Sequence, residues 1–167
     1  MLVVSDTSPI SNLALVDRLS LLKEIYTTVV IPQAVADELE VGGKVDARIA
    51  AVRSYDWIVV RQATDIALIK TLREENLLDR GEAEAIALAL ELKADKLLID
   101  ERLGRQEAIR LGLSITGILG VLLIAKQEGL IPSVRPIIDD LIEVAGFRIS
   151  RQLYQEVLLV ATEDSMD

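Results

Sequence analysis

The sequence contains no histidine and no cysteine. Without histidine there is no Ser-His-Asp triad and no imidazole base. Without cysteine there are no disulfides, no zinc–thiolate sites and no cysteine nucleophile, a composition that fits a reducing cytoplasm. Together the two absences leave any bound metal among oxygens, which favours hard ions such as magnesium or manganese. Aromatic residues are only 3% of the chain, so a core must be built from Leu, Ile, Val and Ala. The longest apolar stretches, such as residues 118–125, are far too short to span a bilayer. No basic region precedes the first apolar run, and Asp6 interrupts it, so neither a signal peptide nor a membrane association is expected. Basic residues are outnumbered, 18 against 27 acidic ones, for a net charge of −9. A protein that coats nucleic acid carries a basic footprint. The charge therefore weighs against such a role more than against a nuclease whose bound cation and basic rim offset it locally.

What is present is a hydrophobic content of 51% in 167 residues, enough for one compact domain. Short β-branched and aliphatic runs predict strands at 3–5, 28–31, 57–61, 96–99 and 113–116. Helices are expected between them. The first opens at Asp6-Thr7-Ser8-Pro9, with Ser8 as N-cap and Pro9 at the first helical position. Residues 13–26 continue as helix in two pieces around Asp17. Another helix runs from Pro32 to the pair Gly42-Gly43. Further helices are expected at 44–55, 66–76, 81–92, 101–111, 118–127, 134–144 and 150–161, with a frayed tail at 162–167. The helix at 81–92 is apolar nearly all round, which makes it central and buried. Strands alternating with helices predict a three-layer α/β/α sandwich around a central, mostly parallel sheet, in a single domain over residues 1–161.

Two of the strands run into an aspartate: Val3-Val4-Ser5-Asp6 and Leu97-Leu98-Ile99-Asp100. Open α/β sheets place acids at a site in this way, outside the carboxyl ends of the strands. Each acid also has a plain structural reading. Asp6 and Asp100 suit strand-end turns or helix N-termini. Glu38 falls roughly 60° from Val35 on its helix, at the edge of the buried stripe, while Asp37 falls about 160° away. A solvated flank explains Glu38 equally well. Glu82 and Glu84 open the buried helix, where Asp79 and Glu82 also form a capping-box pattern. The combination says more than any member. If the first and fourth strands are neighbours, Asp6 and Asp100 approach each other, and the following helices add Glu38 and Glu82. Carboxylates about 5 Å apart repel by roughly 3 kcal/mol per pair at an effective dielectric near 20. Such a cluster needs a cation or shared protons.

Four segments, in this order and spacing, resemble the PIN-domain family. They are Val3-Val4-Ser5-Asp6-Thr7-Ser8, Ile31-Pro32-Gln33-Ala34-Val35-Ala36-Asp37-Glu38-Leu39, Gly81-Glu82-Ala83-Glu84-Ala85-Ile86-Ala87-Leu88-Ala89 and Leu97-Leu98-Ile99-Asp100-Glu101-Arg102. The similarity covers residues 1–125, and the rest reads as a C-terminal extension. The resemblance implies a metal-dependent ribonuclease of α/β/α fold. It implies that Asp6, Glu38, Glu82 and Asp100 form the catalytic, metal-binding pocket, with Thr7 and Ser8 supporting it by hydrogen bonds and Mg2+ or Mn2+ as the cofactor. Many members are the toxins of toxin–antitoxin pairs, so RNA and an antitoxin protein are the implied partners. Two departures stand out. The third acid is Glu where toxin-type members carry Asp, with Glu84 as a rival, and no further Asp follows Asp100 closely, Glu101 being the nearest candidate.

Arg102, Arg105 and Arg110 share the helix that begins beside Asp100 and could hold RNA phosphates. Arg102 and Ser8 are the first choices for substrate contact; a solvated face paired with Glu101 and Glu107 is the plain alternative for the arginines. Residues 120–125 and 153–160 are aliphatic, which suits core packing or, if exposed, a homodimer or antitoxin surface. A catalytically weak module that binds nucleic acid or protein is the competing function. A haloacid-type phosphatase needs a second Asp two residues after Asp6, and position 8 is Ser.

Overall fold

A computed structural model describes residues 1–163. Five parallel strands form one sheet in the order β3-β2-β1-β4-β5. They are β1 (Val3–Ser5), β2 (Val29–Pro32), β3 (Ile58–Arg61), β4 (Lys96–Leu98) and β5 (Ile115–Thr116). β1 is the centre: Val4 pairs with Val30 of β2, and Val3, Val4 and Ser5 pair with Lys96, Leu97 and Leu98 of β4. The chain builds outward from β1 in one direction through β2 and β3, then crosses back to lay β4 and β5 on the other side. The boundary between β1 and β4 is therefore the switch point of the sheet, where α/β proteins open a crevice beyond the strand ends.

Alternation along the strands separates two cores. Val3, Val29, Ile31 and Leu98 face one side, where they meet α1 (Thr7–Leu15), α2 (Ser20–Tyr26), α3 (Gln33–Gly43), α8 (Ile118–Gln127) and α9 (Arg135–Glu143). Val4, Val30, Leu97 and Ile99 face the other, against α5 (Ile66–Glu74), α6 (Arg80–Glu91) and α7 (Arg102–Arg110). This is the three-layer α/β/α sandwich that the strand–helix alternation predicts. In α6, Gly81 to Ala83 and Ala85 to Ala89 are all buried. The helix is enclosed by the sheet and by α3, α5 and α7, which is why its sequence is apolar all round. α10 (Arg151–Val160) docks on α9 through the Tyr154 hydroxyl, which donates to Asp139 Oδ1 at 2.7 Å.

Three local details differ from the sequence reading. First, the N-cap of α1 is Asp6, not Ser8. The Asp6 amide still bonds to the Leu98 carbonyl at 2.9 Å, so Asp6 closes the ladder and Thr7 is the first residue free to turn. Pro9 then stands third in the helix, still within the turn whose amides have no intrahelical acceptor. Second, residues 44–55 are a single-turn α4 (Ala47–Ala50) capped by Asp46, followed by a 3-10 turn at Ala51–Ser54. Third, order extends beyond residue 161. Glu163 accepts from the amides of Val134 (2.7 Å) and Arg135 (3.0 Å) and from Lys126 Nζ (2.9 Å), capping α9. The rest of the expected tail, residues 164–167, lies outside the described residues. No helix among the described residues is long and apolar enough to cross a membrane.

Candidate active site

Asp6, Glu38, Glu82 and Asp100 lie toward the carboxyl ends of β1 and β4, and Glu101 lines the cleft beside Asp100, whereas Glu84 is engaged elsewhere. Asp6 leaves β1 with an extended backbone and is only 4% exposed. Its side chain does not cap α1. Glu38 lies one and a half turns into α3. The residue as a whole is exposed, but its carboxylate reaches Thr7 and Gly81. Oε2 accepts from the Thr7 hydroxyl, and Oε1 lies 2.5 Å from where a Cβ on Gly81 would stand. Only glycine at position 81 leaves room for it.

Glu82 is 6% exposed in the first turn of α6. The capping box is real: the Glu82 amide donates to Asp79 Oδ1 at 2.8 Å, and Glu82 Oε2 accepts from the Asp79 amide at 3.2 Å. Capping and clustering are therefore compatible, because the N-terminus of α6 itself abuts the recess. Glu84 points away. It accepts from the Ala34 amide at 3.1 Å, capping α3, and from Arg80 Nε at 2.9 Å.

The electrostatics tie these acids together. Burial pushes the Asp6 carboxyl up to about 8, against the Thr7 amide, with further upward pushes from Asp79, Glu82 and Glu38. Glu82 is pushed up to about 7, first by burial and then by Asp79, with Glu101 and Glu38 adding to it. Glu38 is raised by burial too, with the Thr7 hydroxyl opposing and Asp79 reinforcing the rise. Asp79 thus acts on all three and belongs to the cluster, a membership hidden behind its capping-box motif.

Asp100 forms a separate wall. Oδ1 accepts from the Ile118 amide at 2.9 Å, at the start of α8, while Oδ2 is buried without a hydrogen-bond partner. Its carboxyl is raised by burial, opposed by the Ile118 amide and the Arg105 charge. Arg105 Nη1 donates to the Ile99 carbonyl at 2.9 Å, which holds the guanidinium beside Asp100. Arg102, the first residue of α7, is exposed and lines neither cleft described next. Arg105, which shares its face by spacing, lines the cleft beside Asp100.

A cleft of about 350 Å³ opens between Ser8, Asn12, Asp100, Glu101, Phe147 and Arg148. The Ser8 hydroxyl, also buried, has no hydrogen-bond partner. A second cleft, of about 480 Å³, runs from Asp100 and Arg105 along Thr116 and Gly117 to Phe147 and Arg148. Asn12 and the two C-terminal residues were not singled out in the sequence. Asn12 could have been, since it follows Ser8 by one helical turn on the same face.

The donor set suits a hard divalent cation: every ligand atom is oxygen, and unpaired Asp100 Oδ2 and the proton-retaining Asp6 and Glu82 lack positive charge. Among the described residues no three acidic side chains are gathered closely enough to hold an ion by themselves.

Residues 2–163 match a family model described as PIN domain (DUF3368), so the match takes in the C-terminal helices as well. No curated protein and no solved structure matches the chain.

Proposed function

The chain belongs to the PIN-domain family, a family of nuclease-type domains, and from that premise we propose that it is a divalent-metal-dependent endoribonuclease. What supports the reading is the mutual charge repulsion of Asp6, Glu38 and Glu82 beside the switch point of the sheet, with Asp100 at the end of the neighbouring strand. One or two of Asp6, Glu38, Glu82 and Asp100, with water, would hold the ion. When bound, the ion supplies Lewis acidity toward a phosphodiester and a lowered pKa for the attacking water. The protein's own residues orient the rest. The Thr7 hydroxyl fixes Glu38, the Asp79 amide fixes Glu82, and the Ile118 amide fixes Asp100. Glu82, near 7, is matched to accept a proton around neutral pH. Arg105, tethered to the Ile99 carbonyl, offers a cation to a substrate phosphate, and the Ser8 hydroxyl offers a hydrogen bond beside it.

The test is cleavage of a labelled single-stranded RNA with Mn2+. Asp6→Asn and Asp100→Asn should abolish cleavage while circular dichroism shows the native fold. If purified protein with manganese cuts no RNA, and neither substitution changes metal binding, the enzyme reading fails. A second reading, a binding module without efficient catalysis, is favoured by the lack of a further aspartate soon after Asp100 and by the net charge of −9. It predicts RNA or protein binding with no heat of metal binding in calorimetry. The toxin role implied by the resemblance adds an antitoxin partner, tested by relief of growth arrest on co-expressing a neighbouring small reading frame.

A further inference from the structure

The two clefts beside Asp100 share two other residues, Phe147 and Arg148, on the segment between α9 and α10. Phe147 is the only phenylalanine in the chain. It is half-buried: it packs against the core on the α8–α9 side and also lines both clefts. Arg148 is exposed, and no described residue forms an ion pair or side-chain hydrogen bond with it. Its guanidinium shares a cleft with the carboxylates of Asp100 and Glu101. The segment is held from both ends. Gly146, at φ +70°, makes the turn; the Phe147 amide bonds to the Leu141 carbonyl at 2.9 Å; Ser150 caps α10. Both side chains are therefore displayed from an anchored turn.

An aromatic face beside a free guanidinium is the pairing that recognises unpaired nucleotides. Any base has a π-face to stack, and the adjoining phosphate takes the charge. Paired bases in a duplex have no such face to offer. We propose that Phe147 and Arg148 form a strand-binding subsite, in which Phe147 stacks an unpaired RNA base and Arg148 takes the neighbouring phosphate, with the scissile bond directed toward the Asp100 wall. This rests on the nuclease reading and adds to it the residues that hold the strand.

The experiment is steady-state cleavage of 5′-fluorescein heptauridylate by the full chain with Mn2+, giving KM and kcat separately, across a series of salt concentrations. Phe147→Leu keeps apolar packing and removes the flat face; KM should rise about tenfold with kcat little changed, and Phe147→Tyr should restore it. Arg148→Ala should weaken binding and flatten the log–log salt dependence by about 0.7. A heptanucleotide abasic at one position should erase the Phe147→Leu effect at that register. A duplex of the same length should be cut poorly by all proteins. If wild type cuts RNA but both variants keep its KM and salt slope, the subsite is wrong and the nuclease reading stands. If wild type cuts nothing, both fall.

Discussion

Replacing Asp6 by Asn should stabilise the metal-free protein against unfolding, and by more as pH rises. In the unfolded chain this carboxyl has its ordinary value of 3.8; in the folded protein it is pushed up to about 8. Between those values the native state keeps a proton that the unfolded chain has released. Stability contributed at low pH is therefore lost as pH climbs from about 4 to 8, and levels off above that. At about 1.36 kcal/mol per pH unit, Asp6 removes roughly 3–4 kcal/mol between pH 5 and pH 8. That is a large part of a typical domain's 5–15 kcal/mol. Asn keeps the shape and has nothing to ionise. Urea unfolding in EDTA at pH 5, 6.5 and 8 measures the difference. Wild type should lose that amount relative to the variant. Because Asp6 and Glu82 repel each other, the midpoint of the difference curve belongs to the pair. Manganese should then reverse the effect at pH 8. Free ion at a hundredfold over its dissociation constant restores about 2.7 kcal/mol to wild type, and much less to Asp6→Asn. Parallel pH dependences for the two proteins would refute the claim that Asp6 is desolvated in a shared acidic recess.

Four shorter predictions test other parts of the site. Gly81→Ala should gain up to about 1 kcal/mol of helix propensity, yet its Cβ would stand 2.5 Å from Glu38 Oε1; melting should change little while cleavage falls at least tenfold. Glu84→Gln loses a half-exposed ion pair to Arg80, costing less than about 1 kcal/mol, and should cleave RNA like wild type, whereas Glu82→Gln should not. Gly117→Ala would press on Asp100 Oδ1 at 2.6 Å and Arg105 Nη1 at 2.8 Å, so it should reduce metal affinity in calorimetry. Manganese binding at pH 7 should release protons, seen as a dependence of the calorimetric heat on buffer ionisation, because Asp6 and Glu82 are pushed up to about 8 and about 7.

The central strands were legible because the short aliphatic runs of β1, β2 and β4 are buried on both faces, and the two strand-end aspartates were legible with them. Helical geometry also set Glu38 correctly at the edge of the buried stripe, from which its carboxyl turns inward. Other features depend on how separate pieces meet. Ser8 looked like a cap because it precedes Pro9; the ladder bond from Asp6 to Leu98 moved the helix start back. Arg102 and Arg105 share a face by spacing, but helical side chains lean toward the N-terminus. Arg105 therefore reaches back to the Ile99 carbonyl, while Arg102 has no turn before it to lean over. Asp79 was recognised for its cap and not for its charge, since the sequence does not reveal that the end of α6 faces Asp6. Phe147 and Arg148 lie far along the chain from every acid of the site, and only the folding back of the α9–α10 segment brings them to Asp100.

The central place of β1 governs when this protein can act during its own synthesis. Residues 3–5 emerge first, yet the strand that pairs with their second edge is residues 96–98. Until that strand has left the ribosome and zipped in, Asp6 has no opposing wall, and one side of β1 remains an open edge ready to pair with other chains. Folding must wait for this distant pairing, which slows it. A truncated or stalled product would thus be prone to aggregate but lack a complete recess, so the domain arrives at its chemistry late and all at once.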